Sequence, residues 1–148
     1  MPHIHVETRV EAPVEQVWTF YRDTSHWQDW MPHDRSAEFS GPVDEVGTTY
    51  LSTMRFMGRE VTMTQQVVEV EPLRLIHEHN DEGPMESYLR FEPDGEATRL
   101  VYDADWERPG RMPGFIKELV NKGWAERHMR QVLADFKALA EAKVPAHD

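Results

Sequence analysis

Residues 113–143 read PGFIKELVNKGWAERHMRQVLADFKALAEAK, and this stretch decides the architecture. Phe115, Ile116, Leu119, Val120, Gly123, Trp124, Met129, Val132, Leu133, Phe136 and Leu139 recur at helical spacing and form one broad apolar stripe. About thirty helical residues extend about 45 Å. A helix cannot bury such a stripe against itself, so it demands a sheet to lie on. Gly123 falls inside the stretch, where glycine weakens a helix by roughly 1 kcal/mol relative to alanine, and a bend is expected there.

The sheet is found upstream. Between residues 36 and 107 the hydrophobic period changes to two, and turn signals recur at Gly41-Pro42, Val46-Gly47, Gly58, Pro72, Asp81-Glu82-Gly83-Pro84 and Asp94-Gly95. Segments 48–57, 59–70, 74–80, 85–92 and 97–107 therefore read as an antiparallel meander, closed by Pro109-Gly110. Further out, Ile4, Val6, Thr8 and Val10 share one face of a first strand. Glu11-Ala12-Pro13 stops it, and Pro13 suits the first turn of a helix, where no backbone donor is needed. Val14, Val17, Trp18 and Tyr21 give that helix an apolar face. Asp23 is placed to cap a second short helix carrying Trp27 and Trp30, which Met31-Pro32 ends. With no repeat or linker, residues 1–148 read as one domain.

Composition narrows the functional classes. The chain has 148 residues, 39% hydrophobic and 29% charged, which predicts a folded domain rather than a disordered chain. It has no cysteine, which excludes disulfides, thiolate metal sites and a cysteine nucleophile, and fits a cytoplasmic setting. Met1-Pro2-His3-Ile4-His5 lacks the blocks of a signal peptide, and no apolar run approaches the ~20 residues of a membrane span. A net charge of −11 repels phosphate backbones, so nucleic acid is not an expected partner. G-x-S-x-G, phosphate-loop, dinucleotide and H-E-x-x-H motifs are missing, so neither nucleophilic hydrolysis nor a cofactor is expected.

Strand phase indicates which side chains face the helix. The polar face Thr62, Thr64 and Gln66 sends Val61, Met63, Gln65 and Val67 inward. Tyr50, Ser52, Met54 and Phe56 face in from the preceding strand. Glu78 and Asn80 are read as solvent-facing, which sends Leu75, His77 and His79 inward. Met85, Ser87, Leu89 and Phe91, with Leu100, Tyr102, Ala104 and Trp106, complete the inner face. That face is apolar with a polar minority: Tyr50, Ser52, Gln65, His77, His79, Ser87 and Tyr102. An unpaired buried polar group costs a few kcal/mol, so a hollow holding water or ligand is the expected explanation. The expected ligand-lining set is Tyr50, Met54, Phe56, Met63, Gln65, His77, Ser87, Leu89, Tyr102, Ala104 and Trp106, with Phe115 and Leu119 from the helix. His77 and Tyr102 are the acid–base candidates. His3-x-His5 and His77-x-His79 each place two imidazoles on one strand face. No carboxylate has an evident third-ligand position, so no metal is expected.

Several segments also match a known pattern. Val10-Glu11-Ala12-Pro13-Val14-Glu15-Gln16-Val17-Trp18 and Asp23 with Trp27 and Trp30 resemble the opening of the START-like, or SRPBCC, superfamily. Val46-Gly47-Thr48, Val68-Glu69-Val70-Glu71-Pro72 with Arg74-Leu75, and Phe91-Glu92-Pro93-Asp94-Gly95 with Thr98-Arg99-Leu100 resemble its hairpins. The chain is most similar to the polyketide cyclase/dehydrase and lipid transport group. This resemblance implies an α+β helix-grip fold: a seven-stranded curved antiparallel sheet, two short helices after the first strand, and a long C-terminal helix. It also implies a small hydrophobic ligand, aromatic, polyketide-like or lipid-like, as partner. The fold alone does not choose between a carrier and an aromatase/cyclase using His77 and a tyrosine, or a protein-interaction module with a filled core.

Overall fold

The computed structural model describes residues 3–30, 39–56, 59–80, 85–106 and 123–142. The first strand, β1 (His3–Val10), buries Ile4, Val6 and Val10 in alternation. Pro13 follows in extended conformation, and its carbonyl accepts from Gln16 and Val17 at 3.0 and 3.1 Å to open α1 (Val14–Arg22). The proline thus caps α1 from just outside it, a position where its fixed φ is compatible and its missing donor is not needed. Asp23 Oδ1 accepts from the Ser25 backbone N–H and hydroxyl at 3.2 and 2.6 Å. It caps a 3-10 turn (Thr24–His26) that runs into α2 (Trp27–Trp30).

Five strands follow: β2 (Thr49–Phe56), β3 (Arg59–Glu71), β4 (Leu75–Asn80), β5 (Met85–Asp94) and β6 (Ala97–Trp106). All pairings are antiparallel, in the order β1-β6-β5-β4-β3-β2, giving one open sheet. The expected seven strands are six among the described residues. Residues 39–48 form turns instead of a strand, and residues 31–38 lie outside the described ones. Between β5 and β6, Asp94 pairs with Ala97 across a two-residue turn, and Gly95 takes the positive φ (65°) such a turn requires. In β3 the register with β4 steps from Val67↔Glu78 to Glu69↔His77, a bulge at Val68 that bends the strand.

The C-terminal helix, α3 (Trp124–Ala142), is shorter than the expected unbroken span. Gly123 has φ +70°, which a right-handed helix cannot contain, so the helix starts after it. Its 19 residues extend about 28 Å. Residues 113–122, the rest of the expected span, lie outside the described ones. Val132, Leu133, Phe136 and Ala140 are buried where α3 packs on β1, α1 and α2. Phe136 sits 5.1 Å from Phe20 and 5.0 Å from Trp30 by ring centroids, both near-perpendicular. The far end is tied down as well: Lys137 donates to the Arg9 carbonyl and Glu141 accepts from the Glu11 N–H, each at 2.7 Å. The short helices are thus an aromatic wedge between α3 and the sheet, as the Trp27 and Trp30 spacing implies.

Candidate functional site

Residues directly opposed in an antiparallel pair share a face, so the register defines rows across the sheet. One inner row runs Val67–Glu78–Ser87–Ala104–Ile4. A second runs Tyr50–Gln65–Asn80–Met85, and a third Val70–Ile76–Leu89–Tyr102–Val6. Glu78 therefore stands at the middle of the inner face.

This corrects the expected phase of β4. Ile76, Glu78 and Asn80 are buried, whereas Leu75, His77 and His79 lie on the opposite face. The polarity of Glu78 and Asn80 argued for an outward position. Pairing overrides it, because Asn80 is opposed to Met85 and Glu78 to Ser87, and β5 has Ser87 and Phe91 buried on the core side. His77 instead stacks on the outer-face Tyr88, with ring centroids 4.2 Å apart. Its Nε2 lies 3.2 Å from Glu86 and its Nδ1 3.5 Å from Glu69, while His79 bonds to the same Glu86. The expected pocket histidines are therefore members of a partly buried hydrogen-bonded cluster on the outer face.

The polar centre of the inner face is Glu78. Its Oε1 accepts from the Tyr50 hydroxyl at 2.6 Å, and its Oε2 is buried without a hydrogen-bond partner among the described residues. Burial pushes the carboxyl up to about 7, and the Tyr50 hydrogen bond opposes this. Tyr50 is itself buried, 5.4 Å from Trp27 and 5.1 Å from Phe39 by ring centroids. Burial, followed by the Glu78 charge, also raises the Tyr102 hydroxyl above its ordinary range, against a hydrogen bond with Ser87. Gln65 and Ser87 are buried beside these groups, and the buried Asn80 amide lies 3.2 Å from Met63 Sδ. Trp30 Nε1 is a second buried atom with no partner among the described residues. An orphaned buried acceptor and an orphaned buried donor each cost about 1–3 kcal/mol unless another molecule satisfies them.

Of the expected lining residues, Tyr50, Met63, Gln65, Ser87, Leu89, Tyr102 and Ala104 occupy the inner face. Ala104 is fully buried, whereas Leu89 and Tyr102 remain partly exposed. Met54, Phe56 and Trp106 are opposed to Val61, Arg59 and Met85, but their side chains lie outside the described ones. Phe115 and Leu119 fall outside the described residues. Glu78, Asn80 and Trp30 were absent from the expected set. The pairing of Asn80 with Met85 ties the phase of β4 to that of β5, and this register, which the alternation within β4 does not encode, turns Glu78 and Asn80 inward. No helix among the described residues is long and apolar enough to cross a membrane.

Solved structures with this architecture are numerous. The aromatase/cyclase Zhui from Streptomyces sp. R1128 superposes with a TM-score of 0.77 at 22% identity, over 97% of this chain and 96% of that one. TTHA0849 from Thermus thermophilus gives 0.75 at 22% identity, over 97% and 100%. Ara h 8.0201 gives 0.69 at 8% identity, over 95% and 98%. At these identities the likeness establishes the fold. No curated protein matches this chain by sequence. The family model for polyketide cyclase / dehydrase and lipid transport matches residues 1–141, nearly the whole chain. That match shows that the chain belongs to the polyketide cyclase/dehydrase and lipid transport family.

Proposed function

We propose that the protein binds a small hydrophobic, ring-containing or acyl molecule between the sheet and α3, with Glu78 as its polar anchor. The observation that carries this reading is the orphaned Oε2 of a buried carboxyl held by Tyr50. A carboxyl protonated up to about pH 7 donates a hydrogen bond to a carbonyl or hydroxyl oxygen without bringing a charge into an apolar site. Tyr102, Ser87 and Gln65 supply further polar contacts, and the partly exposed Leu89, Met85 and Met129 supply an apolar wall. The family match and the fold shared with an aromatase/cyclase support the same ligand class. Mass spectrometry of the natively purified protein tests it directly. A co-purifying apolar molecule is expected, and a neutral environment-sensitive dye should be displaced by it with a stoichiometry near one. A folded protein that binds neither molecule nor dye overturns the reading.

A second reading rests on the same carboxyl. A group that titrates near neutrality is suited to take and return a proton, which is what closing and dehydrating a poly-carbonyl chain requires. In an aromatase/cyclase of this kind Glu78, in place of His77, is the general base, with Tyr50 orienting it. Glu78→Gln separates the two readings: ligand binding retained with turnover of a poly-carbonyl probe abolished marks the enzyme, and no turnover by the native protein marks the carrier.

A further inference from the structure

The face of the sheet turned away from α3 carries a second cluster that the inner site does not use. β1 lies at the sheet edge and pairs with β6 in the register His3↔Asp105 and His5↔Asp103. His3 Nε2 and His5 Nδ1 converge on one oxygen, Asp103 Oδ1, at 3.1 and 2.6 Å. The pairing thus supplies the carboxylate that the sequence alone left unassigned beside His3-x-His5. From this geometry we infer that His3, His5 and Asp103 form a surface site for a divalent transition-metal ion of the zinc, cobalt or nickel kind.

Three features support the assignment. One donor atom from each residue lies within 4.8 Å of the other two. Tetrahedral ligands at zinc bond lengths stand about 3.3 Å apart, so the observed spacing needs only small side-chain rotations. Each ligand also has its other polar atom held from outside. His3 Nδ1 bonds to Asp105, His5 Nε2 lies 3.0 Å from Glu7, and Asp103 Oδ2 accepts from Arg90 at 3.0 Å. Glu7 is in turn held by Arg99 at 2.6 Å. Asp103 Oδ1 now accepts from both inner nitrogens, and a metal ion would take the place of those two protons. The carboxylates on the outer nitrogens keep each outer N–H in place, the outer-shell arrangement of histidine metal sites. Finally, the imidazoles are about half exposed and the Asp103 side chain only 17%, so the site is anchored on the sheet and open to solvent. Water completes the coordination there. Two imidazoles with one carboxylate favour zinc, cobalt, nickel or copper over magnesium or calcium, which prefer all-oxygen sites.

The test is a calorimetric titration of the tag-free, full-length protein with Zn2+ in a non-coordinating buffer. About one equivalent should bind, and His3→Asn combined with His5→Asn should weaken binding at least about tenfold, the usual scale for losing a ligand or its support. Asp103→Asn should weaken it similarly, while His77→Asn with His79→Asn should leave it unchanged. In the native protein, the imidazole 15N resonances of His3 and His5 should shift on adding Zn2+, a readout that needs no variant. The assignment is overturned if millimolar Zn2+ gives no saturable binding, if the His3/His5 double variant binds as tightly, or if the responding resonances belong to His77 and His79.

Discussion

Glu78→Gln keeps the shape of the buried side chain and an oxygen to accept from Tyr50, but removes the proton equilibrium. The native carboxyl is raised from an ordinary 4.5 to about 7. Below the lower value, folded and unfolded chains both hold the proton and the group has no effect on stability. Between the two values the unfolded chain releases its proton while the folded chain retains it, so stability falls as pH rises. Above the upper value the loss is complete and constant. The gap between 4.5 and about 7 corresponds to roughly 3 kcal/mol, at about 1.4 kcal/mol per pH unit. Urea unfolding of native protein and variant from about pH 5 to about pH 8 measures this directly. Groups common to both proteins cancel in the difference. The variant should gain on the native protein by roughly 2.5 kcal/mol across that range, most of it between about pH 5 and about pH 7 and little above. A difference that does not change with pH would refute the burial of an ionisable Glu78, and with it the polar anchor.

Other substitutions test the remaining parts of the structure. Tyr50→Phe leaves both Glu78 oxygens without the hydroxyl that now donates to one of them; it should destabilise the fold by about 1–3 kcal/mol in denaturant unfolding and push the carboxyl still higher. Leu89→Trp, on the inner face beside Tyr102, should lower affinity for a neutral apolar dye while circular dichroism stays native; full dye affinity would place the binding site elsewhere. His77→Phe retains the stack on Tyr88 and loses a partly buried hydrogen bond to Glu86, so stability should fall by about 1 kcal/mol and dye binding change not at all. Gly123→Ala forces a side chain into left-handed backbone and brings its Cβ to 3.2 Å from the Arg127 guanidinium. A loss of about 1–2 kcal/mol by thermal unfolding is expected, and no loss would show that the chain does not turn there.

Much of the architecture is legible in the residue order because local periodicity carries it. The alternation from β2 to β6, the Asp94-Gly95 turn, the Asp23 cap and the apolar stripe of α3 are each set by neighbours within a few positions. The inner positions of Tyr50, Met63, Gln65, Ser87, Leu89, Tyr102 and Ala104 follow from the same period. What local pattern could not settle is β4. Leu75 and Ile76 are both apolar and the next four residues are all polar, so either phase buries one apolar and two polar residues. The choice fell to long-range pairing: Val70 and Leu89 flank Ile76, Ser87 faces Glu78, and the cost of burying a carboxyl is met by protonation and by Tyr50, 28 residues away. The same holds for the outer face, where His5 acquires Asp103 from 98 residues away only because the first strand pairs with the last. Sequence by itself determined the elements and most of their buried faces. Tertiary structure alone decided which polar groups meet, because the free energy of burying a charge or assembling ligands depends on partners that no local period encodes.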